Sequence, residues 1–295
     1  MSVDIAIPCY QYGHFLADAV HSILSQSAAD LRILIIDNAS TDNSLEVARE
    51  LARSDPRVTV AAHASNLGQH ASYNEAIDWA TARYFMISDA DDILAHGALK
   101  RAICLLDAHP NVTFCHGIEL DVPFATGERP AEAAGCGDGE WHIESGHALI
   151  DRICSQGRNF IGATTVVRRT DVQKLVGHYD RTLERAIDLN MWLRLAAHGD
   201  VAQTTAVQAI RRVHRRQLSA YYRANPVADF AALHDNIRHF FRHEGAHLKQ
   251  AASARRAAAH SIARNAARAG IKKTLKGRFG QGAALLGFAM EAWRA

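Results

Sequence analysis

The 295-residue sequence lacks the long hydrophobic runs, the paired cysteines and the charge excess that mark several classes of protein. No stretch is apolar for long enough to span a bilayer, and the first residues lack the basic and apolar regions of a secretory signal. A formal net charge of +2 gives no reason to expect a nucleic-acid partner. Hydrophobic residues make up 48% of the chain, which is enough for a large core. We therefore expect a cytoplasmic protein with one large α/β domain, with or without a helical tail.

Cysteines are few and scattered. The five are Cys9, Cys104, Cys115, Cys136 and Cys154. Their number is odd, and no two of them have the spacing of a paired metal ligand. Scattered single cysteines are typical of reduced thiols in the cytoplasm rather than of a disulfide framework.

Short apolar runs alternate with helical patterns through the first half of the chain. The predicted strands are Val3–Ile7, Leu31–Ile36, Val58–Ala62, Tyr84–Ser88 and Val112–Leu120, and the predicted helices are Phe15–Leu24, Asn43–Ala52, Ser72–Ala82 and Ala98–Ala108. A capping-box pattern of Asn43 and Glu46 opens the second helix. Strands separated by helices of this length indicate right-handed crossovers and a Rossmann-like, mostly parallel central sheet.

The second half is less regular. Residues Val122 to Gly146 are rich in Gly, Pro, Ala and Glu, which predicts a long functional loop. The next predicted elements are a strand at Thr164–Val167, a helix at Asp188–Ala197 and a strand at Val207–Val213. In that helix Trp192 and Leu195 are expected to face inward. Beyond about Ala224 the pattern is wholly helical.

Three carboxylates fall within four residues directly after the predicted strand Tyr84–Ser88. In Asp89-Ala90-Asp91-Asp92 these carboxylates repel one another unless a cation neutralises them. Such an oxygen-rich site suits Mg²⁺ or Mn²⁺, which bind through one or two carboxylates together with a substrate phosphate. The alternative is an acidic turn that caps the following helix, where a carboxylate is favourable at the N-terminus.

Two other polar segments follow strands of the predicted sheet. Pro8-Cys9-Tyr10 comes after the first strand and Asp37-Asn38 after the second. Ligands of such sheets bind beyond the carboxyl ends of the strands, so these segments are expected to converge with the acidic cluster on one edge. Other roles stay open, because Tyr10 alone also fits a packed core tyrosine and Asp37 alone also fits the turn before the next helix.

A set of short motifs occurs in a fixed order between about residues 3 and 220. The first are Ile5-Ala6-Ile7-Pro8-Cys9-Tyr10, Ile35-Ile36-Asp37-Asn38-Ala39-Ser40-Thr41-Asp42, Asn66-Leu67-Gly68 and Asp89-Ala90-Asp91-Asp92. The later ones are Val176-Gly177-His178-Tyr179-Asp180, Ile187-Asp188-Leu189-Asn190-Met191-Trp192-Leu193-Arg194-Leu195, and Arg212-Val213-His214 with Gln217 and Ser219. Their ordered combination resembles the family 2 glycosyltransferases, whose V-D-D-G-S-T-D, G-G-F-D, E-D-x-D-L-W-L-R-L and R-x-H-x-x-x-x-S patterns it follows.

The resemblance implies a GT-A fold, a nucleotide-sugar donor, a divalent cation (Mn²⁺ or Mg²⁺) and inversion at the anomeric carbon. The donor-binding residues that it implies are Pro8, Tyr10, Asp37, Asn66 and Asp89. Asp91 would bind the metal that bridges the diphosphate, and His214 matches a position that reaches the metal or the diphosphate in some relatives. A lone histidine such as His214 is otherwise a polar surface residue.

The implied reaction needs a base, because the acceptor hydroxyl is a poor nucleophile. The resemblance gives this role to Asp188, the second acidic residue of the E-D-x-D pattern. Two positions depart from that pattern, since Ile187 replaces the glutamate and Asn190 replaces the later aspartate. Glu184 is the alternative base. Without the resemblance, the position of Asp188 indicates only a carboxylate at the N-terminus of a helix, where the helix dipole stabilises it.

The C-terminal residues are helical and basic. The cations are Arg255, Arg256, Arg264, Arg268, Lys272, Lys273, Lys276 and Arg278, and the apolar side comprises Ile271, Leu275, Phe279, Leu285, Leu286, Phe288 and Trp293. A basic amphipathic helix can lie on an anionic membrane surface, which would suit a lipid-linked acceptor. The alternative is packing onto the catalytic domain or onto a second subunit of a homodimer. His239, His243 and His247 fall on one nominal face, which we interpret as solvated rather than metal-binding because Gly245 interrupts the helix.

These patterns together predict a glycosyltransferase domain at residues 1–222 and a helical extension at 223–295. The expected reaction moves a sugar, UDP-linked in the simplest case, to a saccharide or lipid-linked acceptor in surface polysaccharide or glycoconjugate synthesis. The sequence has no Q-x-x-R-W pattern, which argues against a processive polymer synthase. One alternative is a nucleotidyltransferase, although Cys9 to Gly13 does not resemble a phosphate-binding loop. The other is a catalytically silent nucleotide-sugar-binding protein, which Ile187 and Asn190 favour.

Overall fold

The computed structural model describes residues 2–27, 30–124, 137, 139–214, 217 and 225–294. The chain forms two compact units. The first consists of Met1–Glu144, Ile161–Tyr179 and Gly199–His214, and the second of Ser145–Phe160, Asp180–His198 and Arg215–Ala295. The chain alternates between the units, so neither unit is one continuous segment.

The first unit is built on a sheet that has nine strands within the described ranges. They are β1 Ser2–Cys9, β2 Asp30–Asp37, β3 Val58–Ala62, β4 Tyr84–Ile87, β5 Asp92–Leu94, β6 Val112–Pro123, β7 Trp141–Ser145, β8 Val167–Arg169 and β9 Asp200–Val213. Hydrogen-bonded neighbours follow the order β3-β2-β1-β4-β8-β6-β9-β5, and β7 pairs with β9.

The parallel part of the sheet arises from continuous apolar runs. β1 is buried along most of its length and β4 along all of it, as expected for strands covered on both faces. β1 pairs in parallel with β2 and β4, and β2 pairs in parallel with β3. The register puts Cys9 beside Asp37 and Ala6 beside Ile87. The carboxyl ends of β1, β2 and β4 therefore lie side by side.

The rest of the sheet is mixed and corrects the sequence-based expectation there. β8 is antiparallel to β4 and β6, β5 is antiparallel to β9, and β6 and β9 are parallel. Thr164–Val167 is not a strand, because Ala163–Thr165 form a turn of 3₁₀-helix and β8 begins at Val167. The sequence does not predict β5, since three residues are too few to show a period.

The loop between Val122 and Gly146 is shorter than the sequence predicts, at both of its ends. β6 continues to Pro123, and β7 begins at Trp141 and pairs with β9. Most of the segment between them lies outside the described residues. The last strand also starts earlier than predicted, at Asp200 rather than Val207.

The predicted helices begin and end close to the expected positions, and two further helices, Gly146–Gln156 and Thr170–Val176, were not predicted. They are α1 Gly13–Leu24, α2 Ser44–Ser54, α3 Gln69–Trp79, α4 Ala98–Ala108, α5 Gly146–Gln156, α6 Thr170–Val176, α7 Ile187–Ala196, α8 Pro226–Arg242, α9 Ala251–Leu275 and α10 Phe279–Arg294. Asn43 precedes α2 as predicted, but its side chain makes no cap hydrogen bond. Asp42 replaces it, because the Asp42 Oδ1 accepts from the Ser44 N–H at 3.0 Å. The capping-box prediction is therefore wrong in its contacts.

The second unit contains α5 and α7 to α10. α7 buries Trp192 and Leu195 as predicted. α9 and α10 pack through small and aliphatic side chains, including the fully buried Leu285. The predicted apolar side is divided between this core and the surface, where Leu275 is 82% exposed. None of the helices in the described part of the chain is both long and apolar enough to cross a membrane.

The three histidines at helical spacing do not all lie on one helix. α8 ends at Arg242, so His243 and His247 lie beyond its last residue. His239 Nε2 lies 2.9 Å from Asp180 Oδ2. The rings of His239 and His243 lie together, with centroids 4.4 Å apart, but His247 does not belong to the same helix.

Candidate active site

The segment after β1 leads directly into α1. Pro8 is partly buried, whereas Tyr10 is 45% exposed and is therefore not a core tyrosine. Gln11 adopts a φ of 63° in the left-handed region, and its N–H donates to Ser40 Oγ at 3.1 Å. Burial raises the pKa of Cys9 to about 12, so this thiol is not a nucleophile near neutral pH.

Two buried aspartates on neighbouring strands differ in how fully their carboxylates are satisfied. Asp4, in β1, accepts from Arg32 Nε at 2.8 Å, from Arg32 Nη2 at 2.7 Å and from two backbone N–H groups. Asp37, at the end of β2, accepts from the Ser40 N–H at 3.1 Å through Oδ2. Its Oδ1 is buried without a hydrogen-bond partner among the described residues. An unpaired buried acceptor costs about 1–3 kcal/mol, so this oxygen is suited to a donor from a ligand.

Asn66 lies in a hydrogen-bonded turn next to the end of β2. Its Oδ1 accepts from Asn38 Nδ2 at 3.0 Å and from the Gly68 N–H at 2.9 Å. Asn38 Oδ1 in turn accepts from the Leu67 N–H at 2.8 Å and lies 2.8 Å from His63 Nδ1. The side-chain Oδ1 of Asn66 therefore holds the turn in place.

The acidic cluster forms the turn between β4 and β5. The Asp92 N–H donates to the Asp89 carbonyl oxygen at 3.2 Å and closes the turn. Fully buried Thr164 links the same two residues, because its Oγ1 accepts from the Asp89 N–H at 3.1 Å and donates to Asp92 Oδ2 at 2.8 Å. Nothing in the local sequence indicates this role for Thr164, since the contacts join residues 72 and 75 positions apart.

Negative charge is concentrated within this turn. Burial, followed by the charges of Asp89, Asp91 and Glu119, raises the pKa of Asp92 well above its ordinary value. Asp91 and Asp92 are only 8% and 2% exposed, so water screens their repulsion poorly. A cation at the turn would offset this repulsion.

Asp91 connects the acidic turn to the end of β9. His214 Nε2 lies 3.0 Å from Asp91 Oδ2. Arg212 is fully buried and donates to the Asp91 carbonyl oxygen at 2.5 Å, to Asp18 Oδ2 at 3.2 Å and to the Phe15 carbonyl oxygen at 3.0 Å. Its guanidinium also lies 4.6 Å from the centroid of the Phe15 ring. Arg212 therefore fixes the backbone of the turn, a role that the R-x-H resemblance did not supply.

The donor set at this turn fits Mn²⁺ or Mg²⁺ when a ligand phosphate completes it. No group of three or more His, Cys, Asp or Glu side chains in the described ranges is arranged to hold a metal ion. The Asp91 carboxylate and the His214 imidazole, which lie in contact, would supply two ligands. Cations at nucleotide sites commonly take one or two carboxylates and obtain their other ligands from phosphate and water. The residues present therefore fit the predicted cation.

The predicted base lies in the second unit, in the first turn of α7. Asp188 is partly buried and is the acidic residue of that turn. Ile187 and Asn190 are 5% and 2% exposed, so the departures from the family pattern fall at buried positions. An ionised carboxylate is costly at such positions, and these replacements therefore suit the packing of α7. Glu184, the alternative base, is exposed before α7.

The structure brings together several of the predicted residues in the first unit. Asp91 and His214 are in contact, and the pairing of β1 with β2 puts the segments that end in Tyr10 and Asp37 side by side. Asp188 belongs to the second unit. Ser219, the last residue of the R-x-H motif, lies outside the described residues.

The fold is that of the GT-A glycosyltransferases, as two solved structures show. TarS 1-349 of S. aureus, in complex with UDP-GlcNAc, is 16% identical with a TM-score of 0.69, covering 99% of this chain and 81% of that one. Mannosyltransferase PcManGT from Pyrobaculum calidifontis, in complex with GDP-Man and Mn²⁺, is 17% identical with a TM-score of 0.60, covering 98% and 86%. At this identity the likeness shows the fold alone. The predicted GT-A fold with C-terminal helices is confirmed.

Residues 4–176 match the family model Glycosyl transferase family 2. The match covers more than half of the chain, which therefore belongs to this glycosyltransferase family, as predicted. A glycosyltransferase of Nostoc sp., itself uncharacterised, is 29% identical over 120 residues, 41% of this chain and 37% of that protein. Chondroitin synthase of Pasteurella multocida is 35% identical over 103 residues, 35% of this chain and 10% of the synthase. The chain thus spans little more than a third of the first relative and a tenth of the second.

Proposed function

We propose that this enzyme is an inverting, metal-dependent glycosyltransferase that moves a sugar from a UDP-linked donor to an acceptor hydroxyl. Its products would be surface polysaccharides or glycoconjugates, a class that includes the product named for the Pasteurella relative. The observation that carries the proposal is the contact of Asp91 with His214 at a buried acidic turn. This turn follows β4, whose carboxyl end lies beside that of β1, and β1 in turn lies beside β2.

Donor binding is assigned to the segments that follow β1, β2 and β4. The buried Oδ1 of Asp37 would accept the N3–H of uracil, which would satisfy an oxygen that lacks a partner among the described residues. The exposed ring of Tyr10 would stack on the base, with Pro8 beside it. Asp89 would contact the nucleoside, and Asn66 would keep the adjoining turn in position. The UDP-GlcNAc complex of TarS supports a nucleotide-sugar donor for this fold.

Asp91 and His214 would hold the cation at the diphosphate. When bound there, Mn²⁺ or Mg²⁺ supplies Lewis-acid stabilisation of the charge that develops on the nucleoside diphosphate. The imidazole of His214 favours Mn²⁺, since Mg²⁺ prefers oxygen ligands. The Mn²⁺ complex of PcManGT supports this choice for the fold.

Asp188 is assigned as the base that takes the proton of the acceptor hydroxyl. A base opposite the leaving group allows in-line attack on the anomeric carbon, and in-line attack inverts its configuration. The position of Asp188 in the first turn of α7 also suits a carboxylate, because the helix dipole favours a negative charge there. Glu184 remains the alternative base.

The proposal includes the division of the chain into a glycosyltransferase domain at 1–222 and a helical extension at 223–295. The acceptor would be a saccharide or a lipid-linked glycan, and the enzyme would act in the cytoplasm at the inner face of the membrane. Contact with that membrane is assigned to the C-terminal helices, with a homodimer contact as the alternative.

Thermal unfolding with UDP, GDP and ADP, each with and without Mn²⁺, tests the donor assignment. Binding stabilises the folded protein by mass action, so UDP with Mn²⁺ is expected to raise the unfolding temperature most. A larger shift with GDP would overturn the choice of UDP.

Turnover of UDP-sugars by Asp188→Asn tests the assigned base. The variant is expected to retain the shift with UDP and Mn²⁺ but to lose about two to four orders of magnitude in turnover. Glu184→Gln is the matched control and should remain active. A loss in Glu184→Gln alone would transfer the role to Glu184. Donor binding by the wild type without any turnover would instead favour the silent binding protein.

A further inference from the structure

The last two helices concentrate positive charge. Residues 251–294, here called the basic hairpin, contain nine Lys and Arg residues and one acidic residue, Glu291, which gives a net charge of +8. The whole chain carries +2, so all other residues together carry −6. Such an asymmetry within one chain is typical of a segment that meets an anionic partner.

The turn of this hairpin also exposes large apolar side chains. Ile271, Leu275 and Phe279 are 54%, 82% and 68% exposed. The segment that they bound, Ile271–Phe279, is called the hairpin tip. It contains four cations, Lys272, Lys273, Lys276 and Arg278, and no acidic residue. Exposed apolar side chains at one turn, interleaved with cations, mark an interaction surface rather than a solvated loop.

The backbone of the tip is fixed by a helix cap. Gly277 has a φ of 73°, and its N–H donates to the Thr274 carbonyl oxygen at 3.0 Å. The Arg278 N–H donates to the Lys273 carbonyl oxygen at 2.9 Å. This pair of bonds around a left-handed glycine is the Schellman arrangement that ends a helix sharply. The direction in which α10 leaves the turn is therefore set by hydrogen bonds.

The two helices pack closely where they meet the tip. A Cβ on Gly282 would overlap Thr274 Oγ1, and a Cβ on Gly270 would lie 3.0 Å from the Gly282 carbonyl oxygen. The two helices therefore approach as closely as glycine permits. Leu275 and Phe279 lie at the ends of these packed helices and stay exposed, which makes the apolar surface a fixed feature of the fold.

We infer that the hairpin tip docks on an anionic membrane surface, with Leu275 and Phe279 entering the head-group layer and the tip cations contacting anionic lipid. A bilayer interface accepts both kinds of side chain at once. A nucleic acid would satisfy the cations and leave the two large apolar side chains in water. A second copy docked tip to tip would bring two charges of +8 together. This inference deepens the proposed membrane contact and depends on no catalytic assignment.

Co-sedimentation of the full chain with vesicles tests the inference. One vesicle contains phosphatidylcholine alone, and the other also contains phosphatidylglycerol. The wild type is expected to bind the anionic vesicles only. The triple variant Lys272→Gln, Lys273→Gln, Lys276→Gln should weaken that binding about a hundredfold. The double variant Leu275→Ser, Phe279→Ser should weaken it about tenfold or more.

Leu175→Ser is the matched control, because Leu175 is 71% exposed on α6 and lies outside the basic hairpin. It should bind anionic vesicles as the wild type does. Wild-type binding that both tip variants retain, or no wild-type binding at all, would overturn the inference. A dimer that Leu275→Ser, Phe279→Ser converts to a monomer, without vesicle binding, would assign the tip to self-association. The unfolding shift with UDP and Mn²⁺, measured on the same variants, separates this failure from a failure of the proposed reaction.

Discussion

The acidic turn after β4 and the basic hairpin both concentrate charge of one sign, but they do so in opposite surroundings. The carboxylates of Asp91 and Asp92 are buried, where Thr164, Arg212 and His214 contact the turn. Most cations of the hairpin tip are exposed. Buried like charges repel strongly and call for a counter-charge in a defined position, whereas exposed ones are screened by water and salt. The first arrangement suits a small cation and a phosphate, and the second suits an extended anionic surface.

The largest expected effect comes from changing the carboxylate that contacts His214. Asp91→Asn removes a charged ligand while keeping the size of the side chain. Turnover of a UDP-sugar should fall by roughly two to three orders of magnitude, because stabilisation of the leaving diphosphate is lost. The Mn²⁺-dependent part of the unfolding shift with UDP should disappear as well.

Glu50→Gln is the control for this change, because Glu50 is an exposed carboxylate on α2. It should leave both measurements unchanged. Full turnover by Asp91→Asn would show that the buried acidic turn is structural and would remove the contrast with the basic hairpin.

The next effect concerns the arginines of the two regions. Arg212→Gln should lower the free energy of unfolding by about 3 kcal/mol, because Asp18 and two backbone carbonyl oxygens lose a buried charged donor. Arg264→Gln, on the exposed side of α9, should change it by less than about 0.5 kcal/mol. Urea unfolding of both variants measures the difference. Equal losses would contradict the view that only one of the two arginine environments contributes to stability.

The smallest expected effect concerns Thr164. Thr164→Val keeps the shape of the side chain but removes the acceptor for the Asp89 N–H and the donor to Asp92. The Mn²⁺ concentration needed for half of the unfolding shift with UDP should rise about tenfold to a hundredfold, as is typical when a residue that positions ligands is lost. Thr164→Ser keeps the hydroxyl and should restore wild-type affinity. A serine variant as weak as the valine variant would point to packing instead of hydrogen bonding.

Much of the first unit could be predicted from the sequence. Continuous apolar runs gave β1 to β4 and the helices between them, because strands covered on both faces leave a strong local pattern. The mixed part of the sheet could not be read in the same way. β5 has three residues, and Ala163–Thr165 form a 3₁₀ turn where a strand was expected, since pairing partners outweigh propensity in such short segments.

The sequence by itself determined the family, the acidic cluster at the end of β4 and the polar segments after β1 and β2. These features are local motifs, and the residue types that define their chemistry are consecutive or nearly consecutive in the sequence. Only the tertiary structure decided that Thr164 and Arg212 hold the acidic turn, that Asp37 keeps one oxygen unpaired among the described residues, and that Leu285 is buried while Leu275 is exposed. Each of these features depends on residues that are distant in sequence but pack around the same side chain. A local sequence pattern does not predict such contacts.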